Sequence, residues 1–338
     1  MKGIVIAGGG LAGLSLGIAL VRKGVPVTIR EAGQYPRHRV CGEFVNGVTM
    51  ETLRELGIAP LFQGALEHRS TKWWVGEECV LKASLPRPAL GMSRWEMDEL
   101  LRIEFEKEGG ELRTGERANC RAQEGLVWTA GRRMKKNSSL LGLKAHFEDV
   151  DLDGSLEMHL GKNCYLGLTP VNRNGSRVNV CGLFNGYEHS SGGNPLIRAI
   201  RQDGLHGLAD RLEEGRMDDR SLTGISGIEL GGQRVEDDLC VLGDAERMIP
   251  PFTGNGMSMA FESAECAVVP LMAYCREERS WNDTRQAIAL ALENRFRDRV
   301  NLAVKLHHCL MHPAGRVVVR SAARSGLLPF HWLHRRLS

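Results

Sequence analysis

Gly8-Gly9-Gly10-Leu11-Ala12-Gly13 fits G-x-G-x-x-G and stands directly behind the apolar run Ile4-Val5-Ile6-Ala7. That spacing belongs to a loop that holds a dinucleotide. Gly8 permits a tight turn, Gly10 lets backbone approach a pyrophosphate, and Gly13 allows a helix to pack closely on the strand. Leu11 and Ala12 fall in the first turn of that helix, whose free N–H groups and positive dipole end suit phosphate oxygens. Glu31, about twenty residues further on and followed by Ala32, is placed to accept hydrogen bonds from a ribose diol. The glycines, the Arg22-Lys23 stop and the lack of an A-x-A site argue against a signal peptide.

Other stretches carry further candidates. Leu242-Gly243-Asp244-Ala245 ends a predicted strand on an acid able to bind a cofactor hydroxyl. Pro251-Phe252-Thr253-Gly254-Asn255-Gly256-Met257 leads into a long helical pattern, so its backbone amides would sit at a helix N-terminus and favour negative charge. Arg37, His38 and Arg39 precede Cys41-Gly42, and their charge is expected to lower the thiol pKa. His146, His159 and Tyr165 lie on predicted strands as acid, base or substrate contacts, and Trp73, Trp74 and Trp95 could line an apolar pocket. The cysteines form no C-x-x-C pair and no His/Cys cluster at zinc spacing, so no metal site is expected.

The elements that must position these residues can be read from pattern. Val25–Arg30 is a second strand after the glycine-loop helix, which makes a βαβ unit. Thr49–Leu56 is an amphipathic helix, and Ser93-Arg94-Trp95-Glu96 is a capping box that starts another helix running to about Glu108. Thr71–Val75 and Cys79–Leu81 are strand-like around a turn at Gly76. From Glu111 to Leu168 the pattern predicts short antiparallel strands, among them Leu126–Thr129, Leu143–Phe147 and Leu156–Leu160, and Val178–Phe184 continues it. Pro195–Gln202 is helical, Asp238–Leu242 is a buried strand, and long helices follow over Gly256–Arg276, Trp281–Met311 and beyond Pro313.

The fold class expected is α/β: a three-layer Rossmann-type domain interrupted by a mainly antiparallel β substrate domain, with a helical C-terminal region. The division assigns 1–70 with 90–142 and 232–280 to the nucleotide domain, 71–89 with 143–231 to the substrate domain, and 281–338 to the helical region. A 338-residue chain that is 42% hydrophobic, with net charge +3, is ordinary for a globular protein and too weakly basic to imply nucleic acid. Scattered cysteines fit a reducing, cytoplasmic setting. From Arg295 onward nine basic residues face one acid, Asp298, with apolar residues interleaved, a pattern that could dock on a membrane or a carrier protein.

Gly8–Gly13 with Glu31, Ser93-Arg94, and Gly243-Asp244 with Pro250–Met257 together resemble the FAD-dependent oxidoreductases of the p-hydroxybenzoate-hydroxylase-like superfamily. Arg39-Val40-Cys41-Gly42-Glu43 and Pro251–Met257 look most like its geranylgeranyl reductase-related branch. The resemblance spans residues 1 to about 275. It implies FAD, with the adenosine at Gly8–Gly13 and Glu31, and pyrophosphate or ribityl contacts from Arg94 and Asp244. The flavin ring would lie near Cys41-Gly42 and Gly254–Met257, with Ala32, Arg39 and Pro251 completing the cofactor-binding set. NAD(P)H is admitted as a reductant, yet the Asp-Gly signature the family often carries reads here Val127-Trp128-Thr129-Ala130-Gly131-Arg132-Arg133, with no aspartate. The W-x-W-x-I-P signature of flavin halogenases is absent, and Tyr165–Pro170 stands in that region.

The function so implied is an FAD-dependent oxidoreductase acting on a hydrophobic organic substrate such as a lipid, isoprenoid or polyketide. The first reading is a reductase that passes hydride from flavin N5 to a polarised double bond, with Cys41 or a nearby acid supplying the proton; His146 and Tyr165 are the other catalytic candidates. The alternative is a monooxygenase that hydroxylates or epoxidises an aromatic or polyene substrate. A third is a flavin-binding accessory protein without catalysis.

Overall fold

The computed structural model describes residues 1–187, 192–233 and 238–338. Strands β1 (Ile4–Ala7), β2 (Val27–Glu31), β6 (Glu111–Thr114), β7 (Leu126–Trp128) and β14 (Cys240–Val241) form a parallel sheet in the order β14-β7-β1-β2-β6. Short β-branched runs buried from both faces suit such a sheet. Helix α1 (Leu11–Val21) crosses from β1 to β2 and is buried on every side from Leu11 to Leu20, which explains why its sequence lacks a polar face. It packs against α6 (Gly256–Cys275) and α3 (Arg94–Lys107), and Gly17 leaves room for the Phe105 ring and Ile29. Ser93 caps α3, its hydroxyl accepting the Glu96 N–H at 3.2 Å.

The second sheet has eight strands: β3 (Phe44–Val45), β4 (Leu66–Val75), β5 (Glu78–Gly91), β8 (Leu140–Glu148), β9 (Leu156–Leu160), β10 (Cys164–Pro170), β11 (Arg177–Asn185) and β12 (Arg216–Ile225). Their order is β12-β8-β11-β10-β9-β4-β5-β3, antiparallel except for the β4–β9 pair. Alternation sorts the two faces. Leu143, Ala145, Phe147, Leu166, Val178 and Val180 form the outer face beneath α4 (Pro195–Gln202) and α5 (His206–Glu214). Lys144, His146, Asn179, Cys181, Tyr165 and Thr169 form the inner face; cross-strand pairing joins His146 to Asn179 and Asn179 to Thr169. A two-stranded ribbon, β13 (Gly231–Gly232) with β15 (Arg247–Met248), and helices α2 (Met50–Glu55), α7 (Trp281–Met311), α8 (Pro313–Arg324) and α9 (Phe330–Leu337) complete the fold.

The α/β class with a Rossmann-type nucleotide layer and a helical C-terminal region is as expected. The antiparallel reading of the 111–129 stretch is corrected: β6 and β7 are parallel strands of the first sheet. Strands of three or four residues carry alternation but no information on the direction of their partners. The Asp238–Leu242 strand shrinks to Cys240–Val241, and α5 and α9 were not anticipated. β3, from the 1–70 stretch, pairs with β5 and so ties the nucleotide-binding loops to the larger sheet.

Phe105 is fully buried where α1, α3 and the parallel sheet meet. Phe105→Ala is therefore expected to cost about 3–5 kcal/mol of unfolding free energy, read by denaturant titration.

Candidate active site

The glycine loop has the geometry its spacing requires. Gly8 adopts φ +108°, and a Cβ there would lie 2.6 Å from the Thr129 carbonyl oxygen; at Gly13 one would be driven into the Gly8 carbonyl. Thr129 braces the turn, its hydroxyl donating to Gly8 O at 2.6 Å. Gly10 has open space around it, and no side chain caps the α1 N-terminus. The first-turn amides at Leu11 and Ala12 thus face outward for an anion.

Glu31 is buried at the end of β2, but it is engaged differently from the simple ribose acceptor expected. Its carboxylate accepts the Gly9 and Gly33 N–H groups, each at 2.8 Å, and pairs with Arg37 at 2.7 Å. It organises the loop as well as standing beside it, and Ala32 next to it is exposed. Asp244 lies in a turn after β14, its carboxyl pushed up by burial and pulled back by the charges of Arg94 and Arg132. Arg94 forms a two-pronged contact with buried Asp98, at 2.7 and 2.9 Å, and Arg39 joins the same carboxylate at 2.8 Å. Arg39 keeps one buried nitrogen, Nη2, without a partner. Pro251 opens a short turn, Gly254 takes φ +68° against the Phe44 ring, and Asn255 starts α6 without capping it. Gly256 and Met257 form the first turn of that helix. Asn255 is itself held from outside, its amide donating to the Leu337 carbonyl of α9.

Between these loops and the inner face of the eight-stranded sheet lies a knot of charge. Glu43 is fully buried and sits at φ +58°, a left-handed conformation that costs a non-glycine residue of order 1–3 kcal/mol. One carboxylate oxygen accepts the Arg94 N–H at 3.0 Å and meets Lys144 Nζ at 3.2 Å; the other lies 2.6 Å from His146 Nε2. Burial opposes its charge, but the His146 hydrogen bond and Lys144 prevail and hold it below the usual carboxylate range. Lys144 also reaches His38 Nδ1 at 3.1 Å, and His38 stacks between Trp95 at 4.6 Å and the edge of His146 at 5.1 Å. His38, His146 and Asp218 are the group of metal-ligating type found among the described residues, but the Lys144 ammonium already supplies a cation there.

Cys41 and His146 are thus brought together, since the Cys41 sulfur accepts the Glu43 N–H at 3.5 Å while Glu43 holds His146. The expected lowering of the Cys41 pKa is corrected. Burial pushes the thiol up, and Arg94 only partly offsets it. Arg37 is spent on Glu31, Arg39 on Asp98, and His38 is pushed down to about 4 by burial and by Lys144, so it is neutral. Tyr165 lies elsewhere on the same face, against Phe252 at 5.8 Å and His307 at 5.7 Å. His159 points to the outer face, stacked on Trp74 and bonded to Glu157 at 2.9 Å. Trp73 packs on Phe330, and Trp95 remains partly exposed over His38. Glu43, Lys144 and Asn179 were missed; Glu43, directly after Cys41-Gly42, and Lys144, a charge inside the apolar strand Leu140–Phe147, were the available signals.

Four buried polar atoms on this inner face have no partner: His146 Nδ1, Asn179 Oδ1, Thr169 Oγ1 and Tyr165 OH. Asn179 donates one amide N–H to the Cys41 carbonyl at 2.9 Å, and its Oδ1 is left without a partner. Native structures rarely leave such atoms unpaired without a ligand or water nearby.

Residues 2–147 match the family described as FAD binding domain. No curated protein matches the chain. Among solved structures, PqsL of P. aeruginosa in complex with 2-aminobenzoylacetate is similar over 97% of this chain and 99% of its own, with TM-score 0.74 and 15% identity. The p-nitrophenol 4-monooxygenase PnpA from Pseudomonas putida DLL-E4 aligns over 99% and 98%, with TM-score 0.73 and 16% identity. The flavin-dependent brominase Bmp2 aligns over 100% and 93%, with TM-score 0.74 and 18% identity.

The depressed His38 sets a stability profile. Its folded value, about 4, lies below the ordinary 6.5, so the unfolded chain binds more protons between those pH values. Stability is complete above pH 6.5 and falls as pH drops towards 4; His307, also pushed down to about 4, acts the same way. His38→Gln is expected to flatten the decline of melting temperature over that window, and an unchanged slope would remove His38 from it.

The uncapped α1 and α6 N-termini, the open space at Gly10 and the unpartnered Arg39 nitrogen fit the cofactor that the family match specifies: residues 2–147 match the FAD binding domain family, the protein is a flavoprotein, and its fold is shared with flavin-dependent monooxygenase and brominase.

Proposed function

We propose that this flavoprotein is a monooxygenase acting on a hydrophobic organic substrate that lies between the flavin loops and the inner face of the eight-stranded sheet. The reading is carried by the likeness to PnpA from end to end, covering 99% of this chain and 98% of that one. Bound and reduced FAD would supply the reactivity towards O₂. The chain would do the rest. Glycine-loop amides, Arg39 and Asp244 would hold the cofactor, and Met257 at the start of α6 would stand beside its ring. Tyr165 and Phe252 would offer an apolar wall. His146 Nδ1 and Asn179 Oδ1, both without a partner in the protein, would hydrogen-bond the substrate's polar end. With Glu43 ionised and accepting from Nε2, the ring is fixed in orientation and Nδ1 is the nitrogen presented to the substrate.

The rival is the reductase with Cys41 as proton donor. The charges that were to activate Cys41 are spent on other partners, and the thiol is buried with a raised pKa. The test is anaerobic photoreduction of the FAD-loaded protein followed by exposure to air. Rapid reoxidation with hydrogen peroxide release is expected, and Cys41→Ser should leave that rate within about twofold, since no acid–base effect of 10²–10⁴ is at stake in it. Sluggish reoxidation without peroxide would overturn the monooxygenase reading. NAD(P)H as the reductant is tested in the same cell by whether either nucleotide bleaches the flavin anaerobically.

A further inference from the structure

The C-terminal helices carry apolar side chains on the wrong side. In α8, Val319 is buried and Arg320 is tied inward, its guanidinium donating to the Val75 carbonyl at 2.9 Å. The opposite stripe, Ala314, Val317, Val318 and Ser321, faces outward at helical spacing. Val317 and Val318 are each 62% exposed. The turn after α8 leaves Leu327 at 77%. In α9, Phe330 and Leu337 face inward, Phe330 against Trp73, while His331, Trp332, Arg335 and Arg336 are exposed. Both helices lie along the same strand, β5.

Charge is segregated in the same place. Residues 299–338 contain seven arginines and lysines and no aspartate or glutamate. Arg320 and Arg324 are committed to Glu78 of β5, leaving Arg335 and Arg336 exposed beside Trp332, with the Arg336 guanidinium 5.7 Å from the indole centre. No helix among the described residues is long and apolar enough to cross a membrane.

We propose that α8, the turn at Leu327 and α9 form a docking surface for an anionic lipid bilayer. Protruding Val, Leu and Trp side chains, with Arg335 and Arg336 exposed beside Trp332, suit insertion into the headgroup region, where basic residues are attracted to anionic lipid. A protein partner would be served better by a contiguous apolar core with a polar rim than by separate protruding side chains. The surface is joined to the flavin loop: the last turn of α9 accepts the Asn255 amide through Leu337 O, and Ser338 lies against Gly47. A docked α9 would place the cofactor loops within one helix of the lipid. The inference is independent of whether the flavin reacts with oxygen.

The test is flotation of the FAD-loaded protein with vesicles of phosphatidylcholine alone and of phosphatidylcholine with phosphatidylserine. Binding to the anionic vesicles is expected, weakening as salt rises, with little binding to the neutral ones. Trp332→Ala combined with Leu327→Ser, and separately Arg335→Gln with Arg336→Gln, should each reduce binding about tenfold or more while flavin occupancy and melting temperature hold. The emission of Trp332, isolated by difference against Trp332→Ala, should shift to the blue on anionic vesicles. Equal, negligible binding to both vesicle types would overturn the proposal. So would anionic binding that both double variants retain, and so would an acidic protein bound through these residues in the absence of any vesicle binding.

Discussion

The buried Glu43 carboxylate is the contact on which the arrangement of the two sheets around the site depends. Its backbone belongs to the loop after β2, yet its side chain is held by Lys144 and His146 of β8 and by the Arg94 amide at the start of α3. A charge without water is tolerated only when each of its acceptor sites is answered, and removing one partner of such a group typically costs about 3–5 kcal/mol. The left-handed turn at Glu43 shows what the fold gives up to bring the carboxylate there. β3, formed by the next two residues, then pairs with β5 and fixes the loop against the larger sheet.

How much of this was legible follows from how local each feature is. The glycine loop, the Ser93 cap and the βαβ order could be read because each is set by residues within a turn or two of one another. The Glu43–His146 contact joins residues 103 apart, and nothing in either neighbourhood announces the other. The expected lowering of the Cys41 pKa is overturned for a related reason. Arg37, His38 and Arg39 are adjacent in sequence, but in an extended loop successive side chains point in different directions, and each found its own partner: Glu31, Lys144 and Asp98. Proximity along the chain was mistaken for a shared field.

The same logic explains the polar face of the eight-stranded sheet. Period-two alternation gave its strands, and Lys144, His146 and Asn179 interrupt the inner face of that alternation. Polar residues at positions where an ordinary sheet would bury valine here meet the loop after β2, through Glu43, His38 and the Cys41 carbonyl. The outer face is packed apolar under α4 and α5, and the inner face is apolar towards Tyr165, Leu160 and Leu183 but polar at Lys144, His146 and Asn179.

Cys41 and Cys181 stand on either side of this interface, and in both burial pushes the thiol pKa up. Oxidation by peroxide proceeds through the thiolate, so a sulfur kept protonated reacts slowly. On the proposed monooxygenase reading, reduced flavin would meet oxygen here and stray peroxide would arise within reach of the protein. The raised pKa of these thiols would then act as a safeguard, setting how many turnovers the protein survives before it damages itself.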